Sequence, residues 1–355
     1  MSGAYINEIA TAVPPHQVHK AFVQFQRQML DDFRKQTIFD RLVAKGQIEN
    51  RWSCVLPADD LSHASINGEI FYVPGNFPST GERMRKYEIQ APVLAQSAVD
   101  KLNLGDRKNE ITHLIVTSCT GFSAPGIDLE MIDRIGLNSS IERTIIGFMG
   151  CYAAVNALKA ARHIVRSEPK AKVLVLSIEL CTLHFQENYE LEGMMPFLLF
   201  ADGCAAALVS AEPRGLSIER FYATVVPEAA SQMAWHIRDL GFDMVLSSRI
   251  PTSIAEAIRR ASDAILAGLK PKDIELWAVH PGGRAILDAV EAAFRLPMTA
   301  LNASRRVLRD FGNMSSATVL FVLKSLLDEN KSGANGCAMS FGPGLTAETM
   351  LFKAV

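Results

Sequence analysis

Short apolar runs alternate along this chain with longer amphipathic stretches. Residues 112–119, 144–146, 173–180, 205–210, 275–279, 337–340 and 349–353 are mostly aliphatic and bounded by glycine, proline or polar residues, the pattern of strands covered on both faces. Between them, 18–45, 88–102, 126–135, 252–269, 285–294 and 319–327 read as helices, as does the Ala-rich run after Cys151. Helices alternating with continuous apolar strands predict a layered α/β protein. Residues 51–79, carrying Pro57, Pro74, Gly75 and Pro78, break the rhythm and predict a covering loop. Glu212-Pro213-Arg214-Gly215 reads as the linker between an N-terminal half, 1–211, and a C-terminal half, 212–355.

A second pattern overlies the first. Gly150-Cys151-Tyr152-Ala153-Ala154-Val155 and Gly312-Asn313-Met314-Ser315-Ser316-Ala317 each place a glycine and a reactive residue ahead of small residues and a helix. Cys151 lies 33 residues after Ser118, and Asn313 lies 33 after His280; Ser118 and His280 both close predicted strands. A period this long that occurs only twice is the mark of a duplicated domain and not of a solenoid. The two halves are expected to face each other across one site.

The chemistry concentrates at those ends. Cys151 follows the strand-like Thr144-Ile145-Ile146 and opens a helical run, so its sulfur is expected at a helix N-terminus, where unpaired N–H groups and a neighbouring imidazolium lower a thiol pKa. A free cysteine is most often a small buried hydrophobe; the partners raise this one above that reading. His280 ends Trp277-Ala278-Val279 and precedes Pro281-Gly282-Gly283, glycines that let a ligand approach. The alternative for it is a core histidine satisfied by a carbonyl. Asn313 adds a neutral donor. Together they offer a nucleophile, a base and an oxyanion-type hydrogen bond. His163 and His184 lack the strand-end context and read as structural or pocket-lining.

Composition narrows the class. The chain has 355 residues, 48% of them hydrophobic, and a net charge of −2, which argues against nucleic acid or an anionic membrane as main partner. No apolar run is long enough to span a bilayer, and residues 1–17 lack a basic-then-apolar leader pattern. Six cysteines (54, 119, 151, 181, 204, 337) show neither metal-ligand nor disulfide spacing. A cytoplasmic enzyme with reduced thiols and no metal site is expected.

At this point the residues resemble a known family. The Cys151, His280-Pro-Gly-Gly and Gly-Asn313-Met-Ser segments, with Phe341-Gly342-Pro343-Gly344-Leu345 near the end, look like the chalcone synthase-like type III polyketide synthases, nearly end to end. The resemblance implies a thiolase-like fold, five layers α/β/α/β/α from two pseudo-duplicated halves, in a homodimer. It also implies that Arg41 and Lys45 bind coenzyme A phosphates at a tunnel mouth, and that Phe200 is a gatekeeper beside Cys151. Ala285, Ser315, Gly342, Pro343 and Gly344 would border the substrate. A third basic residue expected three positions before Arg41 is Ile38 here.

The implied reaction loads an acyl-CoA starter on Cys151, decarboxylates malonyl-CoA to an enolate held by His280 and Asn313, and extends and cyclises the chain. No cofactor is needed beyond the coenzyme A thioesters. Cys119, Cys181, His184, Trp235 and Met244 align with substrate-pocket positions. Cys119, Trp235 and Met244 look more like bacterial members that convert fatty acyl starters to alkylresorcinols or alkylpyrones, with Phe122, Met195, Phe197 and Leu198 lining an acyl tunnel. The bland alternative for several of these is core filling. A ketoacyl synthase III-like condensing enzyme shares the fold, but His-Gln-Ala-Asn would be expected in place of His280-Pro-Gly-Gly. A papain-like Cys-His-Asn hydrolase lacks its local signature here, and the intact triad argues against a non-catalytic acyl-CoA-binding module.

Overall fold

The computed structural model describes residues 3–355. Nine strands form its central sheet system: β1 (Tyr5–Ala12), β2 (His113–Ser118), β3 (Glu142–Gly147), β4 (Val173–Leu180), β5 (Asp202–Ser210), β6 (Leu216–Val225), β7 (Leu276–Val279), β8 (Asn335–Gly342) and β9 (Thr346–Ala354). They are hydrogen-bonded in the order β7-β8-β9-β6-β1-β5-β4-β2-β3. At the centre β1 and β6 share only two residue pairs, Tyr5 with Ser217 and Ile6 with Leu216, so the row is two sheets meeting at a short seam. Connectivity repeats on either side of it. β2 is parallel to β4, β4 antiparallel to β5 and β5 antiparallel to β1. Likewise β7 is parallel to β8, β8 antiparallel to β9 and β9 antiparallel to β6. The duplication read from the residue spacing is thus a duplication of topology, with β3 added outside β2.

Side chains alternate between the faces of a strand, and here the alternation sorts them into different cores. Leu114, Val116, Leu174 and Leu176 meet Ala91, Ala95 and Val99 of the helix Thr80–Asp100. Ile115, Val173 and Val175 point the other way, onto Ala154, Leu158 and Ala161 of the helix Ala153–Ser167. That middle core also holds Val319 and Leu323 of the helix Thr318–Asp328 and takes Leu276, Ala278 and Ala338 from the second sheet. Trp277, Val279, Cys337 and Met339 face a third core, with Ile254 and Ile258 of the helix Ile250–Leu266 and Leu287 and Val290 of the helix Arg284–Phe294. The result is helices, sheet, helices, sheet, helices. Because both faces of each sheet are covered, the strands read as unbroken apolar runs.

Several boundaries differ from the sequence expectation. The helical stretch expected over 18–45 is two helices, His19–Arg27 and Phe33–Gly46, the second started by Asp32, whose carboxylate accepts from Arg34 N at 2.7 Å. The helix expected from 88 begins at Thr80, because Ser79 and Glu82 form a reciprocal capping box. Strand β6, the hairpin Met233–Arg238 with Gly241–Leu246, and the helix Asn302–Phe311 were not anticipated. Among the described residues, no helix is long and apolar enough to cross a membrane.

Candidate active site

The strand ends and the turns that follow them converge on one cavity. β3 ends at Gly147, and the chain then reverses through Phe148 (φ 59°) and Gly150 (φ 80°) into a single 3-10 turn, Gly150–Tyr152, that runs into the helix Ala153–Ser167. A side chain at position 150 would be strained by its φ, and its Cβ would lie 2.2 Å from Pro343 Cδ. The Phe341-Gly342-Pro343 segment therefore lies directly against the cysteine turn. Gly150 N donates to Cys119 Sγ at 2.9 Å, and Cys151 Sγ lies 3.7 Å from Ser315 Oγ.

His280 follows β7, with its N–H donating to Met339 O at 2.7 Å. Its ring is buried, and neither Nδ1 nor Nε2 has a hydrogen-bond partner. Both ring nitrogens are thus left by the protein for a substrate group in the cavity. Asn313 sits after Gly312 (φ 73°). Its backbone is clamped to the Phe200 segment by Asn313 N to Leu199 O and Ala201 N to Asn313 O, both 2.9 Å. Ser315 N donates to its Oδ1 at 2.9 Å, and Nδ2 donates to Gly282 O at 3.3 Å. These two bonds, one at each end of the amide, fix its orientation and leave its second N–H free of them. An aspartate would bring a second acceptor where Asn313 has a donor.

Electrostatics depart from expectation. Burial pushes the Cys151 thiol up, to about 12, against the opposing hydrogen bonds of Ser315 and Asn313. Burial pulls His280 down, to about 3. Desolvation works against the lowering expected from the helix terminus, because the turn is covered and Cys151 is only 8% exposed.

Cys151, His280 and Asn313 line a cavity of about 590 Å³. Cys119, Cys181, Phe200, Trp235, Met244, Ala285, Ser315 and Pro343 line it too, as do Met195 and Phe197. Lys45 and Leu198 line a neighbouring pocket of about 190 Å³ that shares Met195, Leu199, Gly283 and Ala285 with the first. Arg41 is exposed on the helix Phe33–Gly46 and borders neither. Gly342 and Gly344 flank Pro343 without lining the cavity. Phe122 is 38% exposed, with its ring 5.6 Å from Phe148, and stays outside.

His184 is the clearest correction to the pocket list. Its Nε2 donates to Thr120 O at 2.7 Å, its Nδ1 accepts from Phe242 N at 3.2 Å, and it stacks on Phe242 at 3.9 Å. Burial holds it neutral, with a pKa of about 3. It is a satisfied core histidine behind the wall, touching Trp235 edge-on at 5.5 Å. Trp235 itself donates to Cys119 O at 2.9 Å and pairs across the hairpin with Met244.

Glu179 escaped sequence analysis. It is the next-to-last residue of β4, fully buried, accepting from Cys119 N at 3.0 Å, Thr120 Oγ1 at 2.9 Å and Ser316 Oγ at 2.5 Å, and burial raises its pKa to about 7. The available signal was an acid inside the apolar run Leu176-Ser177-Ile178-Glu179-Leu180.

Residues 2–213 match the N-terminal domain of chalcone and stilbene synthases, and residues 218–355 match their C-terminal domain. The chain is 31% identical to the alpha-pyrone synthesis polyketide synthase-like Pks18 of Mycobacterium tuberculosis and of Mycobacterium bovis, over 99% of this chain and 91% of the relative. Among solved structures, PKS-I of the brown alga Ectocarpus siliculosus superposes with a TM-score of 0.90 at 27% identity, covering 100% of this chain and 99% of the other. The C-terminal type III polyketide synthase domain of Steely1, a type I/III hybrid from Dictyostelium, superposes with a TM-score of 0.88 at 25% identity, covering 99% of each.

Proposed function

The chain belongs to the chalcone and stilbene synthase family and is a type III polyketide synthase of thiolase-like fold, and on that premise we propose that it takes a fatty acyl-CoA starter and makes an alkylresorcinol or alkylpyrone. Enzymes of this family are acyltransferases that condense with loss of carbon dioxide. The observation that carries the finer reading is the meeting of Cys151, His280 and Asn313 in one cavity whose walls include Met195, Phe197, Trp235 and Met244. Its volume lies within the roughly 300–1,000 Å³ of small-molecule sites, and apolar walls favour an alkyl chain over a hydroxylated ring.

In this reading His280 takes the Cys151 proton and the thiolate attacks the starter thioester. Coenzyme A leaves as its thiol with that proton, and the acyl group stays on sulfur. Malonyl-CoA then loses carbon dioxide. The enolate oxygen that forms is held by His280 and the Asn313 amide, whose geometry is set before the charge appears. Its carbon attacks the Cys151 thioester and expels the thiolate. The lengthened chain, now on coenzyme A, returns to Cys151 with release of the coenzyme A thiol, and the cycle repeats until the chain can close. Aldol closure, with loss of water, hydrolysis of the thioester and loss of carbon dioxide, leads to a resorcinol. Attack of an enol oxygen on the thioester, expelling the thiol, leads to a pyrone. The steps call for no metal or prosthetic group.

Lys45, at the adjoining pocket, and Arg41, one turn before it, would take the coenzyme A phosphates, and Phe200 would gate the passage. The halves would divide near residue 211. A homodimer has a ready seam in β3, the outermost strand, whose Ile145 is 43% exposed. All six cysteines are unpaired, in keeping with a reducing cytoplasm.

The test is product analysis of purified enzyme with malonyl-CoA and a panel of acyl-CoAs from acetyl to long-chain, with coumaroyl-CoA included. Resorcinols or pyrones bearing alkyl chains are expected. Preference for the coumaroyl starter would overturn the substrate assignment while leaving the family intact.

Trp235 tests the cavity's part in cyclisation. An indole restricts how the bound chain folds and excludes water, so Trp235→Gly is expected to change the resorcinol-to-pyrone ratio while starter loading continues. Melting temperature on the same variant separates this from packing, since truncating a core tryptophan costs about 3–5 kcal/mol. An unchanged ratio with a large drop in stability would assign Trp235 to the core.

A further inference from the structure

The segment that starts the expected covering loop reaches behind the active site. Arg51 is only 2% exposed, and its neighbours are tied to the stretch that leads into Asn313. Glu49 N and Asn50 N donate to Arg309 O at 2.8 and 2.9 Å, and Trp52 Nε1 donates to Asp310 O at 3.1 Å. The Arg51 side chain crosses to the Phe200 segment, where Nη1 donates to Phe197 O and, at 3.0 Å, to Phe200 O. We infer that Arg51 is a positioning residue for condensation, holding the Phe200 segment and the Asn313 amide in fixed relation behind the cavity wall.

The end of the helix Leu191–Leu199 shows why a donor is needed there. The last turn of a helix leaves its carbonyls without partners inside the helix. Pro196 O accepts from Phe200 N, Leu199 O accepts from Asn313 N, and Ala201 N turns away to Asn313 O. Phe197 O and Phe200 O are taken by the guanidinium, a cation at the negative end of the helix dipole. Arg51 and Asn313 therefore hold one helix end between them, and Phe200 and Asn313 form a β-bridge there. The contact is also steric: a Cβ at Gly312 would lie 2.9 Å from both Arg51 Cγ and Leu199 O. A shift of the Arg51 side chain is passed directly to the turn that carries Asn313.

Stability alone does not call for a guanidinium here. Its Nη2 has no hydrogen-bond partner. Asp202, the acid whose charge acts on it, gives its oxygens to Cys54 N, Thr182 N and the Thr182 hydroxyl. A buried charge is weak evidence for stability, whereas a rigid fork of donors aligns several acceptors at once. His19 sets the fork's direction. Arg51 Nε donates to His19 Nδ1 at 3.0 Å, which requires that nitrogen to be unprotonated, and burial pulls the imidazole down to about 4. The guanidinium carbon lies 5.9 Å from the centre of the Phe22 ring.

The inference rests on Asn313 being the enolate donor, and a double-mutant cycle in the full-length enzyme tests the two separately. Arg51→Met keeps the bulk and removes the donors. It is expected to lower kcat for malonyl-CoA decarboxylation by about 10–100-fold, the scale of a catalytic group displaced by up to about 1 Å. KM should change less than about twofold, since the loss falls on the transition state. In an Asn313→Ala background Arg51→Met should cost nothing more, because a residue that acts through an amide has no effect once the amide is gone. Arg51→Lys should recover part of the loss. His19→Leu, which leaves the guanidinium but removes its orienting acceptor, should give a smaller loss that also vanishes in Asn313→Ala, and it replaces Arg51→Met in the cycle if that variant does not fold. Unchanged kcat with a lower melting temperature, or a loss that multiplies with that of Asn313→Ala, would overturn the positioning role and leave Asn313 as the donor. Full decarboxylation in Asn313→Ala would overturn both.

Discussion

Cys151→Ala is expected to reduce polyketide formation by at least about 10³-fold, because Cys151 is the cavity cysteine that opens a helical turn and lies against Ser315 and Asn313. The fold should survive. Cys151 is a small buried residue followed by Ala153 and Ala154, and losing one sulfur atom there costs about 1 kcal/mol. Decarboxylation of malonyl-CoA to acetyl-CoA should persist in this variant, since His280 and Asn313 remain. Cys119 and Cys181 line the same cavity, so retained extension in Cys151→Ala would mean that one of them is the nucleophile.

The complementary result concerns the enolate. Asn313→Ala is expected to slow malonyl-CoA decarboxylation by about 10²–10³-fold, the usual effect of losing one preorganised donor at a developing oxyanion. Its effect on loading of Cys151 should be small. Asn313→Asp should be no better, because a carboxylate would face the new charge. His280→Ala should lose both steps, since in the proposed mechanism His280 takes the Cys151 proton and also holds the enolate oxygen. Steady-state decarboxylation measured beside single-turnover acylation separates the two roles. Full decarboxylation in Asn313→Ala would remove that residue from the oxyanion position.

The architecture was largely readable because sheets buried on both faces leave unbroken apolar runs, and because the equal spacing of Ser118 to Cys151 and His280 to Asn313 reports a repeated topology. The three central residues were readable because glycines mark the backbone positions that approach most closely, as Gly150 does against Pro343. Other features were hidden for identifiable reasons. The bulge between Ile218 and Arg220 breaks the alternation of β6, and its Glu219 and Arg220 look like a loop. Trp235 and Met244 share the cavity wall through cross-strand pairing, which is invisible until the hairpin's register is known. His184 lies in a short 3-10 turn, where spacing does not fix side-chain direction. The thiol's pKa depends on how much water the surrounding layers exclude, a property of packing and not of the Gly150-Cys151 turn alone.

The most direct measurement is peptide-level mass spectrometry of the enzyme after brief exposure to a long-chain acyl-CoA without malonyl-CoA. The expected result is a single acyl adduct on the peptide containing Cys151, absent from Cys151→Ala and discharged when malonyl-CoA is added. An adduct on Cys119 or Cys181, or one on Cys151 that malonyl-CoA fails to discharge, would contradict the assignment of this cavity as the condensing site.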